Sequence, residues 1–161
     1  MISVSDSSPI ISLAAIDRLE LLRSIFTSVV IPQAVYDEIV AGNDRPGSEI
    51  AHGNWIDVRK VESQRRVKQL MTSAHLHLGE SETIVLAGEL KAAYVILDDQ
   101  AARKTAHRKA IPVIGTLGVL LVAKATNLIS EVEPCLRQLI AAGKYVDPVT
   151  YRDILVRAGE I

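Results

Sequence analysis

Six acids carry the chemistry this chain can offer: Asp6, Glu38, Glu80, Glu82, Asp98 and Asp99. Asp6 ends a short apolar run in VSDSSPII, and Asp98 and Asp99 end another in YVILDD. Glu38 lies in the segment that Pro32 opens, and Glu80 and Glu82 sit near the start of GESETIVLAGEL. If these four segments meet, several carboxylates share one small volume. Like charges at short range push up one another's pKa values, so such a cluster is costly. A hard divalent cation such as Mg²⁺ or Mn²⁺ removes that cost, because it prefers carboxylate and water oxygens. A cation held in this way activates water and offsets charge on a phosphoryl group. The chemistry indicated is metal-assisted phosphodiester hydrolysis.

Each acid also has a plainer reading. Asp6 and Asp99 each precede a helical segment and fit its N-cap. Glu38 sits beside Asp37 on a flank that fits solvated surface, and Glu80 and Glu82 suit the positive end of a helix. Residue by residue both readings stay open. The set is more informative, because four separate segments deliver acids to related places.

The elements that must position them follow from periodicity. Residues 2–5, SVVIP, YVIL and IPVI read as short buried strands, and WIDVRKV alternates like a strand near a sheet edge. A helix starts around Pro9 with Ser7 or Ser8 as its cap, and Asp17 is placed to cap a second one. Pro32 opens a third. AGNDRPGSE reads as loop, with a short helix around residues 49–52, and residues 63–77 as a helix and a loop. GESETIVLAGELKAA, QAARKTAHRKA and LGVLLVAKATN read as helices, and two more follow, each ending at a glycine. Strands alternating with helices, and apolar on both sides, predict a three-layer α/β/α fold with a short, mostly parallel sheet. In such sheets ligands bind beyond the carboxyl ends of the strands, where Asp6, Asp98 and Asp99 fall.

The chain has 161 residues, 48% of them apolar, which suits one domain over 1–161 with the helices from about 130 packed on it. Its net charge of −1 argues against strong overall attraction to nucleic acid, though not against a local basic patch. The single cysteine, Cys135, excludes an internal disulfide and fits a reducing cytoplasm. No signal peptide is read at the start, and the apolar run from Val113 to Ala123 is too short to span a bilayer, so no membrane role is expected.

Arg103, Lys104 and Arg108 follow Asp99 and fit either an RNA-phosphate contact or a solvated helix face. His75 and His77 stand two apart, which suits no shared helix face. GTLG lacks the lysine of a phosphate loop, so close strand–helix packing is the better reading. Tyr36 and Trp55 read as packing residues.

Taken together, VSDSSPIISLAAIDRLELL, VVIPQAVYDEIV, RPGSE, LHLGESETIVLAGEL, YVILDDQAARKTA and IPVIGTLGVLLVAK resemble the PIN-domain nucleases, in particular a prokaryotic branch long known only as a domain of unknown function. The resemblance implies four catalytic acids, Asp6, Glu38, Glu82 and Asp99. Glu82 stands where the pattern ETIVLA meets an aspartate in most relatives. Asp6, Asp98, Asp99 and Glu82 are the implied metal ligands, with Asp98 or Asp99 as the one facing the ion. Ser8 and Thr116 match supporting positions. The resemblance further implies Mg²⁺ or Mn²⁺, a single-stranded RNA substrate, and the toxin half of a toxin–antitoxin pair with a small antitoxin partner. It also implies a homodimer and a cytoplasmic location. The alternative is a catalytically inactive PIN-like module that binds RNA or a protein partner.

Overall fold

The computed structural model describes residues 1–42, 50 and 53–161. The short helix expected around residues 49–52 lies largely outside them. Five strands form one parallel sheet: β1 (Ile2–Ser5), β2 (Ser28–Pro32), β3 (Ile56–Arg59), β4 (Tyr94–Ile96) and β5 (Val113–Ile114). The described helices are α1 (Ser7–Ala15), α2 (Glu20–Ile25), α3 (Gln33–Ala41), α4 (Gln64–Ser73), α5 (Leu78–Glu89), α6 (Gln100–Arg108), α7 (Thr116–Ala125), α8 (Glu133–Ala141) and α9 (Pro148–Arg157).

The strand order is β3-β2-β1-β4-β5. The chain moves outward from β1 to β3, then returns to lay β4 on the other side of β1. That reversal opens a crevice between the carboxyl ends of β1 and β4, which is where parallel sheets bind ligands. The register pairs Ser5 with Ile96, and the Asp6 N–H donates to the Ile96 carbonyl at 3.1 Å. The two acid-bearing strand ends are therefore tied side by side.

Strand alternation sorts the apolar residues into two cores. Val29, Ile31, Ile56 and Ile96 pack with α1, α2, α3, α7, α8 and α9. Val4, Val30, Val95 and Leu97 pack with α4, α5 and α6. This period of two makes the sheet the middle of three layers, as expected. α5 is buried almost all round, from Gly79 to Ala87. Each fully buried large side chain on it, such as Ile84 or Leu86, contributes roughly 1.5–3 kcal/mol. Tyr36 and Trp55 pack against the first core, and Cys135 is buried in it. No described helix is long and apolar enough to cross a membrane.

Two local expectations change. α1 begins at Ser7, so Asp6 rather than a serine takes the N-cap position. The N-cap position of α2 is taken by Leu19 rather than Asp17, which has a left-handed φ of 57° just past α1. Short polar side chains tolerate that region better than most. The glycine stops hold: Gly143 and Gly159, just past α8 and α9, have positive φ.

Candidate active site

β1 delivers Asp6 to the crevice with its backbone extended, so it continues the alternation and shares the face of Val4, the side of α5. It occupies the N-cap place of α1, yet its side chain makes no capping hydrogen bond. It is 5% exposed. Burial raises its pKa, and the carboxylates of Glu38, Glu80 and Asp98 add to this; the Ser7 N–H opposes them, and the result is about 7. Among the described residues no ion pair offsets its charge.

Glu38 reaches the crevice from α3. Its Oε2 accepts the Ser7 hydroxyl at 2.8 Å. Its Oε1 lies where a Cβ on Gly79 would sit, 2.5 Å from that position. Glycine at 79 is thus what lets the first turn of α5 approach this carboxylate.

Glu80 is brought to the same place. Its Oε2 accepts the His77 N–H at 3.0 Å, closing the first turn of α5. Burial raises its pKa, and Asp99 and Glu38 add to this, while the His77 N–H and side chain oppose it. Glu82 goes elsewhere. It is 8% exposed, and its Oε2 accepts the Ala34 N–H at 3.0 Å. That N–H is one of the donors left open at the start of α3, where a negative charge is also favoured by the helix dipole. Two residues along a helix turn through about 200°, so Glu80 and Glu82 cannot face the same way.

The adjacent aspartates separate by the same logic of alternation. Asp98 falls on the face of Ile96, toward the C-terminal helices. Its Oδ1 accepts the Thr116 N–H at 2.7 Å, and its Oδ2 accepts the Thr116 hydroxyl at 2.6 Å and the Lys144 ammonium at 2.9 Å. Asp99 falls on the face of Leu97. It is exposed, caps α6 through the Ala102 N–H at 2.9 Å, and acts electrostatically on Glu80.

The supporting residues differ from expectation in part. The hydroxyl that meets an acid is that of Ser7; Ser8 is exposed and lines a shallow crevice with Ile11, Ser12 and Lys144. Thr116 is buried and holds Asp98. Arg103 is half-buried and donates to the Leu97 carbonyl at 2.9 Å, while Lys104 and Arg108 are exposed. A Cβ on Gly115 would stand 2.6 Å from Nη1 of Arg103 and 3.0 Å from Oδ1 of Asp98. GTLG therefore serves close packing beneath this network.

Asp6 thus interacts with Glu38, Glu80 and Asp98, and Glu80 in turn with Glu38 and Asp99; among the described residues Asp98 alone of these acids is also paired with a cation, Lys144. Glu80 is a candidate acid that the family resemblance passes over, Ser7 reads in the sequence only as a helix cap, and Lys144 is not selected there at all. Among the described residues no group of three or more His, Cys, Asp or Glu side chains stands close enough to hold a metal ion by itself. The donors are carboxylates alone, and among the described residues Asp6 is buried without a countercharge. That chemistry fits a hard cation that keeps several waters, rather than a closed protein cage.

A family model described as a PIN domain matches residues 2–160. No curated protein matches the chain.

Proposed function

The chain belongs to the PIN-domain family, and we propose that it is a metal-dependent endoribonuclease cutting single-stranded RNA. PIN domains are in general nucleases that use divalent metal ions. The observation that carries the finer reading is the buried Asp6 carboxylate among like charges, with no ion pair among the described residues, at the switch point of a parallel sheet.

On this reading Asp6 would be the main ligand of Mg²⁺ or Mn²⁺ at the crevice, with Glu38, Glu80 and Asp99 engaging the ion chiefly through its waters. When bound, the ion would supply Lewis acidity and charge neutralisation at the scissile phosphate. The attacking group is water rather than a side chain. Glu38, fixed by Ser7, would orient that water and accept its proton, with Glu80 beside it. Asp98 is a support: it joins the end of β4 to Thr116 and Lys144 and so fixes the backbone that presents Asp99. Glu82 anchors α3 to α5 and thereby sets the distance between Glu38 and Glu80.

Cleavage of labelled single-stranded RNA with Mn²⁺ or Mg²⁺, by wild type and by Asp6→Asn, tests the reading. Activity is expected for wild type alone and only with the ion present. Equal cleavage by both proteins would overturn it. The family resemblance extends the proposal to a cytoplasmic, homodimeric toxin restrained by a small antitoxin. Expression of the chain alone should then arrest growth, expression of Asp6→Asn should not, and growth arrest by both would contradict the toxin role.

A further inference from the structure

A groove of about 1030 Å³ lies away from the acid cluster, between α4 and α5. Glu89, at the end of α5, accepts the N–H groups of Glu62 and Ser63 at the start of α4, so the two helices run antiparallel. The end of α4 bearing Thr72 and Ser73 therefore points toward the crevice end of α5. The other end, bearing Arg65 and Arg66, points toward Gly88. Glu80 and Gly88 lie on one i, i+4 stripe of α5, about 12 Å apart along its axis.

The rim is basic. Arg65, Arg66 and Lys68 from α4 and Lys109 beyond α6 all line the groove and are exposed. None of them makes an ion pair among the described residues. Glu89, at the end of α5, is turned to the N-terminus of α4. In a chain of net charge −1, four unpaired cations around one groove are a local excess. Gln69, Thr72 and Ser73 add neutral hydrogen-bonding groups to the same wall. On the floor Leu70, Ile84 and Val85 are 6%, 0% and 6% exposed, so no large apolar side chain stands out there as an anchor for a peptide. Guanidinium and ammonium groups spaced along a helix match phosphate oxygens instead.

We propose that this groove binds the sugar–phosphate backbone of single-stranded RNA outside the crevice, and so sets affinity for long substrates. The choice of RNA rests on the ribonuclease reading, but the binding needs no cleavage. The two therefore fail separately.

The test uses the full chain and labelled oligouridine, with anisotropy read in EDTA over a range of salt. The variant Arg65→Glu/Arg66→Glu/Lys68→Glu should bind about tenfold or more weakly. Its slope of log affinity against log salt should shrink by about 2, the loss of three phosphate contacts on a single strand. Gly88→Glu is an independent variant, because a Cβ at that position meets nothing within 4 Å; it should weaken binding without lowering the melting temperature. Arg23→Glu, on α2, should bind as wild type. In cleavage, the triple variant should raise KM for oligouridine at unchanged kcat and leave a uridine dinucleotide unaffected. Wild-type affinity and salt slope in the triple variant would overturn the proposal. So would polyglutamate competing for the groove better than oligouridine, which would mark an acidic protein as its partner. If no variant and no wild type cleaves RNA while the binding loss is seen, the groove stands and the ribonuclease reading falls.

Discussion

Two carboxylates at opposite ends of the chain are treated in opposite ways. Glu160, just past α9, accepts the N–H groups of Val132 and Glu133 at 2.8 and 3.1 Å and the Lys124 ammonium at 3.0 Å. Burial pushes its pKa up, but those donors outweigh burial and hold it below the ordinary value. Asp6 is also buried, and its pKa rises to about 7. The sequence thus builds a complete set of partners for a carboxylate that only pins α7, α8 and α9 together. At Asp6 it adds further acids instead. On the proposed function, a fold able to neutralise one carboxylate and leaving another among like charges keeps the second for a cation brought from outside.

Removing each carboxylate sharpens the contrast most. Asp6→Asn should lower metal-dependent RNA cleavage by about 10³-fold or more, as loss of roughly 4 kcal/mol of transition-state stabilisation implies. Glu160→Ala should leave turnover intact and cost about 2 kcal/mol of stability, because the Val132 and Glu133 N–H groups and Lys124 lose their acceptor. Turnover assays and denaturant melts on both variants read the two effects, and similar profiles for the pair would erase the distinction.

Acidity tests the same contrast without changing the sequence. Asp6 has a native pKa of about 7 against an ordinary 3.8, so between these values the native state binds more protons than the unfolded one. Stability of the metal-free protein should therefore fall as pH rises through this window and level off above about 7. The upper bound is about 4 kcal/mol. Glu80, raised as well, acts in the same sense. Glu160, lowered, acts oppositely, and its contribution is lost as pH falls below the ordinary glutamate range. Denaturant melts in EDTA at pH 5 and pH 8 measure the difference. Asp6→Asn should flatten it, and a metal-free protein more stable at pH 8 would contradict the assignment.

The two neighbouring glutamates of α5 should part in kind. Glu80→Gln should reduce cleavage by about 10- to 100-fold with little change in melting. Glu82→Ala should cost about 1–3 kcal/mol by orphaning the Ala34 N–H, with a smaller effect on kcat. The smallest expected effect is that of Gly79→Ala. Its new methyl group would displace the carboxylate end of Glu38, so cleavage should fall several-fold while stability holds. Parallel kinetic and thermal measurements on the three variants would show whether kinetic and structural losses separate in this order.

Much of this was legible in the sequence. The short apolar runs ending in acids specified parallel strands, and the site then followed from where such strands end. Alternation from Val95 to Asp99 already separates Asp98 from Asp99, because Leu97 and Asp99 share one face. The choice between Glu80 and Glu82 was not legible in the same way. α5 is buried on nearly all sides, so its hydrophobic pattern marks no inward face. Matching ETIVLA to a family pattern favours Glu82, while the glutamate of this helix that acts on Asp6 is Glu80, two residues away on another face. Lys144 was beyond reach for another reason: its partner Asp98 is 46 residues away in sequence, and only the packing of α8 brings the two together.

Titration of the metal-free protein with Mn²⁺, followed calorimetrically across pH, tests the central claim most directly. Wild type should bind the ion with an affinity that rises about tenfold per pH unit up to about 7 and then levels, as the ion displaces the proton held by Asp6. Asp6→Asn should lose that binding, and Glu160→Gln should keep it. Undiminished Mn²⁺ binding by Asp6→Asn would contradict the account.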